Sequence, residues 1–197
     1  MANDRVMYIP WDNDEIGEFN NSGMDEFTYG ADYNNTQKPT SHHKRTWSVV
    51  YANSPAPALA SLGIGWGTRI HLAGHGQIGD PNVYPPHAST SAKPLSYQQV
   101  VAAMMASGLK TRYIGTIVCD VCYSALGNPP FARLLARELW SNGYKATCVM
   151  GFKGSLQSAY VDNAAGGVAG KYTHRVVDTG KGTVKSKDAK VRFFGFK

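Results

Sequence analysis

At 197 residues the chain is long enough for one domain with a sizeable core, and no apolar run approaches the ~20 residues that span a bilayer. Three cysteines (Cys119, Cys122, Cys148), and no apolar leader behind the opening "MANDRVMYIPWDNDE", argue against a disulfide framework. They lead us to expect reduced thiols in a protein that is cytoplasmic or exported without a cleaved signal peptide. The net charge of +6 is polarised: residues 171–197 hold eight Lys/Arg against two Asp, and the first 37 residues hold eight carboxylates against Arg5 alone.

In chain order, residues 1–45 read as a polar, acidic N-terminal segment or arm, rich in Asn, Asp and Gly from position 12 and ending in "SHHKR". Regular patterning starts at 46, so 46–197 is taken as the folded domain. "TWSVVY" (46–51) is rich in β-branched and aromatic residues and predicts a strand. "NSPAPALASLG" (53–63) supplies a cap, early prolines and a terminal glycine, and predicts a short helix. "TRIHLA" (68–73) is the next strand, followed by a Gly/Pro-rich loop from Gly74 to Pro94. Ser96 caps a helix whose apolar stripe is Val100, Val101, Met104 and Met105, ended by Gly108. "RYIGTIVC" (112–119) is a third strand. Asn128-Pro129 opens a helix bearing Phe131, Leu134, Leu135 and Leu139, closed by Gly143, and "KATCVM" (145–150) is a fourth strand. The last stretch, 171–197, alternates around Gly180-Lys181-Gly182 and predicts a C-terminal β-hairpin. Strands alternating with helices imply an α/β fold, a mostly parallel sheet covered by helices on both faces.

Two of these strands end on chemistry. "RIHLAGHG" stops at Gly74-His75-Gly76, and "IVCDVCYS" stops at Asp120-Val121-Cys122. Ligands of open parallel sheets bind outside the carboxyl ends of the strands. One crossover separates the two strands, so they are expected to be neighbours, with the imidazole of His75 and the thiol of Cys122 at adjacent ends. A thiolate that attacks, and an imidazole that helps to form it and protonates the leaving amine, make a nucleophilic dyad. The flanking glycines leave room for a peptide and for an oxyanion-binding N–H. Cys119 and Cys148 lie inside apolar runs and read as core residues.

An apolar strand ending His-Gly, then one ending Asp-x-Cys-x-Ser, resembles the caspase-like cysteine peptidases: caspases, metacaspases, clostripain, gingipains, legumain, separase and the self-cleaving domains of bacterial toxins. The spacing of 47 residues is close to that of caspases, about 50. The resemblance covers residues 46–151. It implies a caspase-like three-layer sandwich, a cysteine endopeptidase with His75 as general acid/base and Cys122 as nucleophile, and oxyanion donors in the N–H groups of Gly76 and Cys122. The Gln-Ala-Cys of true caspases is absent, and Ala125 stands where a glycine often follows Cys-x-Ser. In metacaspases and their relatives an aspartate at the position of Asp120 binds a basic substrate side chain. Cleavage after Arg or Lys is therefore expected, with "HHKR" (42–45) as a site of self-processing. The competing role for Asp120 is to cap the turn or pair with Arg69 or Arg112.

Other patterns compete. His71, His75, Cys119 and Cys122 spell a zinc-like set, but positions three apart on a strand point to opposite faces, so no metal site is assigned. Gly63-x-Gly65-x-Gly67 precedes a strand and reads as a turn, not a phosphate loop. His42, His43, His87 and His174 read as surface residues, and Trp11, Trp47, Trp66 and Trp140 as anchors. No cofactor is implied. Lys181, Lys185, Lys187, Lys190 and Arg192 form a basic tail; in the toxin domains such a hairpin binds an activating inositol phosphate. No aromatic-basic nucleic-acid module is present, so the expected partner is a protein or peptide, with neither membrane nor nucleic acid. The alternative is a catalytically inactive caspase-like protein whose tail binds a polyanion.

Overall fold

The computed structural model describes residues 5–16, 47–54, 58–60, 68–85, 91–161, 174–178, 180–185 and 187–196. Strands β1 (Arg5–Ile9), β2 (Trp47–Tyr51), β3 (Arg69–Ala73), β6 (Thr116–Asp120), β7 (Cys148–Phe152) and β11 (Lys190–Phe193) form a central six-stranded sheet. Its order is β11-β7-β6-β3-β1-β2, parallel throughout except for β11, which runs antiparallel to β7. The chain direction across the sheet reverses between β1 and β3, beside the β3/β6 pair that carries both candidate residues.

The remaining elements are a one-turn α1 (Asn13–Ile16), the two-residue strands β4 (Asn82–Val83) and β5 (Leu95–Ser96), α2 (Tyr97–Ala106), α3 (Phe131–Ser141), β8 (Ser155–Val161), β9 (His174–Asp178) and β10 (Thr183–Lys185). Helix α2 starts where its sequence says: Ser96 Oγ accepts the Gln99 N–H and Gln99 Oε1 accepts the Ser96 N–H, a capping box. Val100, Val101 and Met104 are buried, whereas Met105, placed in the same stripe, is 42 % exposed.

The alternation of side chains along the strands divides the core. One cluster joins Tyr8, Ile70, Leu72, Ile117, Cys119 and Val149 to Val100 and Met104 of α2 and Phe131, Leu135 and Leu139 of α3. The other holds Val118, Met150, Phe152 and Ala189, with Leu156 and Val184 packed against it. Helices on both faces were expected. Among the described residues α2 and α3 both belong to the first cluster, and the second is closed by side chains from β8 and β10.

Three expectations are corrected. The N-terminal segment 1–45 is not wholly an arm: β1 lies inside the sheet, hydrogen-bonded to β2 and β3, with Val6 to Ile9 buried. Residues 17–46, including "HHKR", His42 and His43, lie outside the described residues, as do 61–67 with Trp66 and the Gly-x-Gly-x-Gly turn, and His87. The helix over 53–63 is described only at 53, 54 and 58–60, which are turn or bend. The third and fourth strands begin later than predicted, because the chain ahead of each is held in turns. The Tyr113 hydroxyl lies 3.1 Å from the carbonyls of Thr68 and Thr116, and Thr147 Oγ1 donates to the Tyr113 carbonyl. A side chain at Gly115 would meet that hydroxyl at 2.3 Å. Finally, β9 and β10 pair antiparallel around Gly180 and Gly182, both at positive φ, as the predicted hairpin. The tail does not end there, since β8 adds a third strand to the hairpin and β11 returns to the central sheet.

Candidate active site

His75 follows β3 after one glycine, and Cys122 follows β6 after Val121. The β3/β6 register ends at Ala73 opposite Asp120, and two residues on from that rung are His75 and Cys122. The backbone of His75 is fixed on both sides: its N–H donates to the Tyr84 carbonyl (2.9 Å) and its carbonyl accepts from the Tyr84 N–H (3.0 Å). Tyr84 is anchored in turn by its hydroxyl on Asp80. Asp80 also accepts the N–H and side-chain amide of Asn82, each at 2.9 Å. Burial pushes the Asp80 carboxyl up, but these three donors outweigh it and hold it below its ordinary value. The loop is therefore a built structure that presents His75 half-buried at the strand end.

Cys122 sits on a tight turn. Tyr123 has φ +56°, a left-handed conformation that costs a non-glycine residue roughly 1–2 kcal/mol. The bonds around it explain why it persists. The Tyr123 N–H donates to the Gly154 carbonyl (2.9 Å), the Ala125 N–H to Phe152 (2.9 Å) and the Leu126 N–H to Tyr123 (2.8 Å). Ser124, 1 % exposed, bridges two strand ends: its Oγ donates to the Cys119 carbonyl (3.3 Å) and accepts the Phe152 N–H (3.0 Å). The serine of the Asp-x-Cys-x-Ser pattern is thus a brace beneath the turn. The thiol is half-buried. Its Sγ accepts the Leu156 N–H at 3.2 Å and lies 3.6 Å from Ser155 Oγ and 4.0 Å from the Leu156 carbonyl.

The two loops are packed against each other by glycines. A Cβ on Gly76 would meet Val121 Cγ1 at 2.4 Å and the Cys122 carbonyl at 2.7 Å. The approach of the cysteine turn therefore leaves no space for a side chain after His75. Farther out, the Gly79 N–H donates to Leu126 (3.2 Å), and a Cβ on Gly127 would strike the Gly79 Cα at 2.4 Å. The N–H groups of Gly76 and Cys122, named as oxyanion donors, have no acceptor among the described residues.

Asp120 is engaged below this surface. Its Oδ2 lies 3.0 Å from His71 Nδ1, and His71 Nε2 lies 3.0 Å from an Arg5 guanidinium nitrogen. Arginine only donates and a carboxylate only accepts, so the bonds fix the tautomer: Nε2 accepts, and Nδ1–H donates. Burial lowers the His71 pKa, and Arg5 and Lys190 add to that against the opposing charge of Asp120. A neutral imidazole thus links a cation on β1 to an anion on β6. Arg69 and Arg112, the partners foreseen for Asp120, are replaced by His71. Cys119 is fully buried, and burial, with the Asp120 charge adding to it, pushes its thiol far up. Burial also raises Cys148, with Arg192 opposing. No group of three or more potential metal ligands occurs among the described residues.

The five basic tail residues do not share one hairpin. Lys181 and Lys185 belong to the β9/β10 unit, Lys187 to the turn after it, and Lys190 and Arg192 to β11 in the other sheet. The Lys190 ammonium lies over the Phe152 ring, 5.2 Å from its centroid. Trp11 is an anchor, 2 % exposed with its Nε1–H on the Lys93 carbonyl. No helix of the described residues is long and apolar enough to cross a membrane.

Sequence reasoning passed over Ser155, Leu156 and Arg5. His71 entered only as a member of a zinc-like set, because its partners depend on strand register. No protein-family model matches the chain, and no curated protein matches it.

Proposed function

We propose that the protein is a caspase-like cysteine endopeptidase in which Cys122 is the nucleophile and His75 the general acid/base. The observation that carries this reading is the packing of the two loops: Gly76 lies against the Cys122 carbonyl, at the ends of hydrogen-bonded parallel strands. A sheet of order 2-1-3-4-5-6 with only its last strand reversed, counting the six strands in chain order, supports the caspase-like sandwich. In the reaction the Cys122 sulfur attacks the peptide carbonyl carbon, and the N–H groups of Gly76 and Cys122 receive the developing oxyanion. His75 gives its proton to the leaving amine, then takes one from the water that hydrolyses the thioester. Neither step calls for a metal or cofactor. Cleavage after Arg or Lys requires the substrate cation to share a carboxylate that already binds His71. An inositol phosphate activator would have to span two sheets to reach all five tail cations.

A fluorogenic panel with Arg, Lys, Leu or Asp before the scissile bond tests the reading. Turnover of the Arg and Lys substrates, lost in Cys122→Ala, is the expected result. Turnover of none, in a folded protein, leaves the inactive polyanion-binding relative.

A further inference from the structure

The loop that leaves β3 carries a side chain the fold does not use. Gln77 and Asp80 close a tight turn, with the Asp80 N–H on the Gln77 carbonyl at 3.3 Å and Gly79 at φ +75°. Positions inside such turns are dominated by Gly, Pro, Asn, Asp and Ser. Ile78 stands there instead, 62 % exposed, the most exposed of the large hydrophobic side chains among the described residues. It belongs to neither core cluster. A single exposed isoleucine on an open surface needs no explanation. This one stands three residues beyond His75, on a loop held at both ends. Tyr84 fixes the backbone of His75, and the Gly79 N–H donates to the Leu126 carbonyl at 3.2 Å, four residues beyond Cys122. A Cβ on Gly127 would strike the Gly79 Cα at 2.4 Å, so the histidine and cysteine loops stay in contact out to this turn. The turn offers no free charge: Gln77, Ile78 and Gly79 are neutral, and the Asp80 carboxylate is occupied by Tyr84 and Asn82.

We propose that Ile78 is a specificity-determining residue, an apolar seat for the substrate side chains that follow the scissile bond. The proposal rests on the dyad reading, which sets the direction of the peptide across the site. The sulfur takes the carbonyl half of the bond, and His75 gives its proton to the amine half. The loop of His75 therefore flanks the leaving half, and its exposed apolar tip meets the residues after the bond. Asp120, on the strand of the nucleophile, is the residue considered for the side chain before the bond, so the two loops divide the substrate between them. Covering an aliphatic side chain that water surrounds favours an aliphatic partner through the apolar area removed from water. A preference of about tenfold over a polar residue follows, the low end of what one apolar contact gives in a closed pocket.

The test reads binding, not proteolysis, so it is informative even on a chain that cuts no peptide. The full chain carrying Cys122→Ala is titrated into fluorescein-labelled peptides with Leu-Leu or Ser-Ser in the two positions after the bond. Each pair is made with Arg, Lys, Leu or Asp before the bond, and anisotropy gives Kd. In the pair that binds tightest, the Leu-Leu peptide is expected to bind about tenfold more tightly than its Ser-Ser partner. Adding Ile78→Ser brings the ratio to about one, whereas Ile78→Val, which stays aliphatic, keeps most of it. Ile78→Lys moves the preference to a peptide with Asp-Asp in those positions, a gain that no loss of folding can produce. Equal affinities for the two peptides, or a ratio that survives Ile78→Ser because both weaken alike, would overturn the proposal, the second because it reports a disturbed loop and not a seat. Binding of no peptide would overturn it together with the reading beneath it. A ratio that depends on Ile78, with native protein that cuts none of the peptides, would instead count against the dyad reading alone.

Discussion

Strands β3 and β6 each carry one residue type twice, once inside and once just beyond the end. His71 lies in β3 and His75 four residues later; Cys119 lies in β6 and Cys122 three residues later. The inner pair is buried and occupied: His71 between Arg5 and Asp120, Cys119 sealed in the core. The outer pair is half-buried, on loops whose backbones are bonded in place. The same functional groups are thus inert or usable according to whether the strand has ended. A sheet interior desolvates them and fills their valences, whereas a strand end exposes them while the strands still fix their position.

Exchanging members of the two pairs tests that contrast, and carries the largest effects. Cys122→Ala is expected to remove peptide turnover to the detection limit and His75→Ala to lower it by roughly 10²–10⁴, both with little change in melting temperature. Cys119→Ala should leave turnover intact and cost about 1 kcal/mol of stability, read by urea unfolding. Turnover that survives Cys122→Ala, or vanishes with Cys119→Ala in a folded protein, would reverse the assignment.

A smaller effect is expected from forcing the loops apart. Gly76→Ala puts a methyl group where Val121 and the Cys122 carbonyl already stand. Overpacking of this kind costs about 1–3 kcal/mol. Displacement of the dyad by about an ångström should lower kcat/KM by about 10², measured on the best substrate of the panel.

The inner pair predicts the smallest effect, one of pH. His71 is held neutral in the fold with its pKa below the ordinary 6.5, so the unfolded chain binds this proton more readily. Its contribution is fully present above pH 6.5 and is lost as pH falls through the folded value. Melting temperature should decline below about pH 6.5. The slope should flatten in His71→Gln, whose amide can donate to Asp120 and accept from Arg5 without titrating. An unchanged slope in that variant would place the acid sensitivity elsewhere.

Much of this was legible in the chain because it rests on local pattern. The Ser96/Gln99 capping box, the apolar runs of β3 and β6, and the glycines of the 180–182 turn all act within a few residues of themselves. The parts that were not legible depend on what meets what. "RVMYI" is only five residues long and runs into an acidic stretch, so its place between β2 and β3 shows only once the sheet is assembled. The His71–Asp120 pair needs the β3/β6 register, which neither strand encodes alone. The Leu156 N–H is a backbone group 34 residues beyond Cys122, and any non-proline residue there would supply it. The role of Gly76 was readable as a need for a small residue, but its cause, the cysteine turn, was not.

The central claim is that Cys122, of the three cysteines, is the nucleophile, and that His75 activates it. A peptidyl chloromethylketone with Arg before the reactive group reads this in one experiment: incubation with the native protein, digestion, and location of the thioether by mass spectrometry. The claim predicts one adduct, on Cys122, whose formation slows strongly in His75→Ala. An adduct first on Cys119 or Cys148, or one on Cys122 that forms equally fast without His75, would contradict it.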